Sequence, residues 1–150
     1  MLTGTLVAFL HFAAAFGIAI ALACEWSALS ESPTYEVARR IQWCDLWYGI
    51  SAVFLVIAGV LRVIYYDKGV DYYLSNPFFI AKMVLGAAIG TLSIYPTIRF
   101  TKWSKETKRG LPPVVTRSQF LAISRIVRIE LLLLLLMAFC ASLMARGIGL

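Results

Sequence analysis

The chain has 150 residues, 61% of them hydrophobic and 15% charged, with a net charge of +6. Soluble domains carry about 45–50% apolar and about 25% charged residues, so this composition excludes an ordinary soluble domain and leaves an integral membrane protein. The positive charge does not imply a nucleic-acid partner, because basic residues of membrane proteins collect in cytoplasmic loops.

The apolar residues form four runs of about the 20 residues needed to cross a bilayer. The expected fold is all-α: one four-helix transmembrane domain over 1–150, with helices at about 2–27, 37–66, 77–100 and 118–146. The first run is unbroken from Leu2 to Cys24, and no Lys or Arg precedes Arg39. It lacks the basic start of a cleaved signal peptide and is read as a retained helix. His11 is the one basic side chain in it, and Glu25 stands near its end. Ala13, Gly17 and Ala21 place small residues at four-residue spacing, a pattern that lets membrane helices approach closely. The polar stretch Ser30-Glu31-Ser32-Pro33-Thr34-Tyr35-Glu36 reads as a turn.

The second helix carries Arg39, Arg40 and Asp45 early, then an apolar body closed by Arg62 and the pair Tyr65-Tyr66. Tyr48, Ser51, Ala52, Leu55, Gly59 and Arg62 share one of its faces. Residues 67–73 form a short polar link whose tyrosines suit the interface belt. Asn76 is a favourable N-cap and Pro77 a favourable first residue for the third helix. Inside that helix Lys82, Gly86, Gly90 and Ser93 make a stripe, with the glycines leaving space below the lysine for a neighbouring helix or a flat ligand. Pro96 is expected to end or kink this helix. A basic loop follows, with Arg99, Lys102, Lys105, Lys108, Arg109 and Arg117 against Glu106. The fourth helix holds Arg125, Arg128 and Glu130 before the apolar run to Ala145 and Arg146. That run spans only about 22 Å, so Glu130 or Arg146 must snorkel, tilt or pair.

Ten Lys/Arg flank the ends near Arg39 and Arg109, and three (Arg62, Lys68, Arg146) flank the other ends. The positive-inside rule then puts both termini and the 67–76 link on the outer, periplasmic side of a bacterial inner membrane. His11 and Lys82 come to similar depth in the outer half.

Ionisable groups at membrane depth are costly and mark function by default. For Lys82 the competing expectation is snorkelling to the interface. For His11 it is a helix–helix hydrogen bond. As a pair at matched depth, beside small residues, they are expected to face each other and hold a ligand. Arg62 and Arg146, alone interface anchors, would complete a cationic pocket suited to carboxylates such as porphyrin propionates or to an anionic lipid head group. The candidate cofactor-binding set is His11, Lys82, Arg62, Arg146, Tyr48 and Gly86, with His11 and Lys82 as metal ligands. A single histidine rules out bis-histidine heme ligation within one protomer, leaving His with Lys, or His with a Met such as Met83. Ligation by lysine requires the neutral amine. Glu25, Asp45 and Glu130 are expected mainly to pair with Arg39, Arg40, Arg125 and Arg128 at the inner interface, with a proton path through Glu25 or Glu130 as the alternative. Cys24, Cys44 and Cys140 form no CxxC pair and are read as free thiols, neither a disulfide framework nor a metal site. No nucleotide loop, Ser/His/Asp set or HExxH is present.

The segments His11-Phe12, Cys44-Asp45-Leu46-Trp47-Tyr48-Gly49, Ala58-Gly59-Val60-Leu61-Arg62, Asn76-Pro77-Phe78-Phe79-Ile80-Ala81-Lys82, Leu92-Ser93-Ile94-Tyr95-Pro96-Thr97 and Met144-Ala145-Arg146-Gly147 resemble a family of small predicted bacterial four-helix membrane proteins of unknown function. The resemblance covers nearly the whole chain. More distantly, the layout is similar to membrane protoporphyrinogen oxidases of the HemJ type and to copper-resistance protein D relatives. The HemJ resemblance implies heme b at a first-helix histidine and a lysine opening a later helix, which His11 and Lys82 match in order and setting. Tyr48-Gly49 and Phe79-x-x-Lys82 are also similar. The chain departs where that family carries a further histidine after the lysine helix; Tyr95-Pro96 stands there instead. Copper is disfavoured, because soft copper sites want Met, Cys and His clusters. The resemblance implies a heme b or porphyrin-binding protein, a protoporphyrinogen oxidase-like oxidoreductase that passes electrons toward quinone. The alternative from another class is a non-catalytic accessory subunit or assembly factor of a larger respiratory or photosynthetic membrane complex, with its glycine and alanine stripes as the working surface; a homo-oligomer is an expected partner state in either case.

Overall fold

A computed structural model describes residues 2–29 and 33–149; residues 30–32 of the expected turn at 30–36 lie outside the described residues, and its last two residues already belong to α2. Five α-helices follow in order: α1 (Leu2–Ala28), α2 (Tyr35–Leu61), α3 (Val70–Leu74), α4 (Pro77–Thr107) and α5 (Arg117–Ala145). A π-helical turn, Arg62–Tyr66, continues α2. Four of these helices are long and apolar enough to cross a membrane. Large apolar side chains point outward from them: Phe16 and Ile20 on α1 and Leu135 on α5 are each more than two-thirds exposed, which only a lipid surround makes favourable.

Thr34 caps α2 by accepting from the Val37 N–H, and Thr116 caps α5 by accepting from Gln119 N–H. Asn76 caps α4, accepting from Phe78 N–H at 2.9 Å. Its side-chain amide donates to the Ile148 carbonyl, which ties the chain's last turn to the start of α4. Pro96 does not end α4. The helix runs through it to Thr107, seven residues past the expected 100. Thr97 and Thr101 follow it, and Thr101 Oγ1 donates to the Thr97 carbonyl.

α1 packs along α2 and α4 along α5; the two hairpins meet through α2 with α4 and α1 with α5. Among the described residues no Cα of α1 comes within 8 Å of one on α4, so these two helices are diagonal partners. The start of α1, the end of the described chain at Gly149 and the 67–76 link lie at one end, the terminal end; the basic 99–117 segment lies at the other, the loop end. The continuous apolar core occupies the half toward the loop end. Leu22, Ile41, Phe100, Ile123 and Val127 are almost wholly buried there. His11 and Lys82 lie in the other half, beyond this core.

Cys24 and Cys44 are not free thiols. They form a disulfide between α1 and α2, with Cα atoms 6.3 Å apart. Their separation of 20 residues hid the pairing, because it arises from helix register across the hairpin. Cys140 is free and buried.

Candidate functional site

The terminal half gathers the basic side chains. His11, in the terminal half of α1, lies against α2: its Nδ1 is 3.1 Å from the Leu55 carbonyl oxygen. A carbonyl can only accept, so Nδ1 carries the hydrogen and the Nε2 lone pair is left for another partner. Nε2 makes no hydrogen bond among the described residues. The ring fits because residue 59 is glycine. A Cβ there would stand 3.2 Å from His11 Cε1 and 3.4 Å from Nδ1. The helix–helix hydrogen bond expected as the alternative for His11 is thus present, and it engages only one of the two nitrogens.

One turn beyond Gly59, Arg62 stands over the Phe12 ring at 5.5 Å and pairs with Asp67 at 3.0 Å. Its buried Nε has no hydrogen-bond partner. Tyr73 of α3 donates to the same Asp67 carboxylate at 2.8 Å. Burial, then this hydrogen bond and the Asp67 charge, push the Tyr73 phenol up to about 12. α3 is thereby tied to the end of α2. Gly69 precedes α3 at φ +87°, a conformation open to glycine.

Lys82, near the start of α4, places its amine 5.4 Å from the centroid of the Phe79 ring. Among the described residues the amine has no ion pair or hydrogen bond. His11, Arg62 and Lys82 lie within electrostatic reach of one another, with Asp67 as the nearby anion. Diagonal helices therefore bring the two predicted ligands into one layer, as the matched depth required.

Three expected members behave differently. Arg146 is the exposed C-cap of α5 and does not join the layer. Tyr48 is buried, but beside Ser93 and in reach of Glu25, Asp45 and Glu130, on the loop-end side. Gly86 does not open an empty slot below Lys82: the Met137 sulfur of α5 would lie 3.8 Å from a Cβ there. Gly90, next on the stripe, is exposed and meets nothing within 4 Å.

The expected pairing of inner acids with inner arginines is also overturned. Among the described residues the one ion pair is Arg62–Asp67. Arg39 donates to Tyr35, and Arg125 and Arg128 face outward. Glu25 and Glu130 point inward without them. The arginines lie on the opposite side of their helices from the core, which a face projection could have shown.

Sequence reading missed Asp67 and Tyr73 as members of the cationic layer, and Met137 as a thioether next to it. Asp67 could have been found: it lies five residues past Arg62, one π-helical turn away. Among the described residues no group of three His, Cys, Asp or Glu side chains could hold a metal ion.

No curated protein and no solved structure matches the chain. A family described as "Predicted membrane protein (DUF2214)" matches residues 3–149. That span takes in all four long helices and every residue of the layer around His11, and the chain belongs to this family.

Proposed function

We propose that the terminal half binds heme b or a related tetrapyrrole between α1 and α4. The observation that carries this reading is the state of His11: Nδ1 is fixed by the Leu55 carbonyl, and Nε2 is unengaged. Histidine ligands typically donate their second ring N–H to such an acceptor, which sets the tautomer and ring orientation. Nε2 of His11 would hold the iron from α1, and the neutral amine of Lys82 would hold it from the diagonal helix. Met137 offers a thioether one turn below Lys82 as a competing ligand. Arg62, already anchored by Asp67, offers guanidinium hydrogens to a propionate. The bound iron would supply one-electron chemistry.

In this proposal the terminal end faces the periplasm of a bacterial inner membrane, since ten Lys/Arg flank the loop end and three the terminal end. The proposal extends to porphyrinogen oxidation with electrons passing to quinone, on the resemblance in layout to HemJ-type oxidases read from the sequence alone. Purified protein is expected to show a Soret band that His11→Ala abolishes. A colourless preparation that takes up no added hemin would contradict the proposal.

The accessory-subunit reading is favoured by one observation. Gly49 on α2 and Gly90 on α4 are exposed glycines with nothing within 4 Å, small patches against which another helix could pack. Co-purification of a colourless protein with a larger membrane complex would select it.

A further inference from the structure

The loop-end half contains a second polar layer, of opposite sign. Glu25 from α1 is 2% exposed and Glu130 from α5 is 1% exposed, and the Oε1 atom of each has no hydrogen-bond partner. Asp45 of α2 is within electrostatic reach of both. Tyr48 of α2 is within electrostatic reach of all three. From α4 come the hydroxyls of Ser93 and Thr97; its Tyr95 packs on the core beneath Arg99. No arginine or lysine makes an ion pair with any of these acids among the described residues.

An ionised carboxylate buried without a partner is so costly that it neutralises instead. Two carboxyls that share a site cannot readily both ionise. A metal ion could neutralise them, but these side chains do not converge as a metal-binding group. Asp45 differs from the two glutamates. It accepts from Thr97 Oγ1 at 2.6 Å, and it lines a groove of ≈ 770 Å³ between α2 and α4. Thr97, Thr101 and Ser104 line the same groove at four- and three-residue spacing, so their hydroxyls follow one face of α4 toward the loop end.

We propose that Glu25 and Glu130 form an intramembrane proton-binding site that exchanges with water at the loop end through Asp45 and the Thr97–Thr101–Ser104 hydroxyl row. A proton from that aqueous phase converts a buried carboxylate to the acid and leaves by the same route. The site is separate from the layer around His11 and does not depend on a tetrapyrrole.

Infrared difference spectroscopy of the full chain in lipid vesicles tests this. At neutral pH a carbonyl stretch of a protonated carboxyl is expected. It should shift to lower frequency when water is replaced by deuterium oxide, and it should diminish as the pH is raised. Glu25→Gln and Glu130→Gln should each remove part of the band, and Asp45→Asn should slow its deuterium shift at least several-fold. The wild-type band and its shift need no variant, so a misfolded variant leaves the test intact. Absence of the band, a band that never exchanges, or its removal by sodium chloride at fixed pH would overturn the proposal, the last by revealing a metal-cation site.

Discussion

Gly59 is where the heme proposal can be stressed without touching a ligand. In Gly59→Ala the new methyl would meet His11 Cε1 at 3.2 Å and Nδ1 at 3.4 Å, inside the roughly 3.5–4.0 Å of a comfortable carbon contact. The imidazole must retreat by a few tenths of an ångström. Its Nδ1–Leu55 bond, at 3.1 Å, is already near the long end of about 2.7–3.2 Å for such bonds. Losing an outer partner of a metal-bound histidine costs about 10–100-fold in affinity, or about 1.4–2.8 kcal/mol. Helix propensity acts in the other direction: alanine for glycine inside α2 favours the helix by about 1 kcal/mol. Hemin titration followed by Soret absorbance, beside a thermal melt, separates the two effects. Gly59→Ala should weaken hemin binding while Tm holds or rises. Gly49→Ala, with nothing within 4 Å of its Cβ, should leave binding unchanged. Equal affinities in the two variants would refute the orienting role assigned to the Leu55 carbonyl.

Other expectations follow from single contacts. Asn76→Ala removes a wholly buried cap and its bond to Ile148, and should cost about 2 kcal/mol in unfolding measurements, a cap and a buried hydrogen bond together. Alkylation of the denatured, unreduced protein should label Cys140 alone, and three labels would contradict the Cys24–Cys44 bond. Tyr73, raised from an unfolded value of about 10 to about 12, binds its proton more tightly when folded. Its contribution to stability is complete below the unfolded value and is lost as pH rises through the folded one. Ultraviolet titration should show a late tyrosinate step whose amplitude falls by one tyrosine in Tyr73→Phe.

The all-helical layout was legible because a bilayer demands long apolar runs, and the four long helices begin within two residues of their expected starts. Their ends were harder. Pro96 signals a break by itself, yet α4 continues to Thr107 because the residues around it still pack: Phe100 and Trp103, beyond the proline, are core side chains. The depth match of His11 and Lys82 could be read from helix rise and alternating direction alone. Which helices are neighbours could not, since adjacency depends on packing between distant segments. For that reason the sequence paired Glu25 and Glu130 with arginines close in depth, whereas the fold turns the acids inward and the arginines out. Tyr48 was misplaced similarly: its face was identified, but its level along α2 belongs to the acidic layer. The Cys24–Cys44 bond needed the register of α1 on α2, which no periodicity encodes.

The central claim is that His11 and Lys82 serve one ligand. A double-mutant cycle of hemin affinity with His11→Ala, Lys82→Met and the pair measures that directly. The account predicts strong non-additivity, with the second substitution costing little once the first is made. Two additive losses, or no loss from either change, would contradict it.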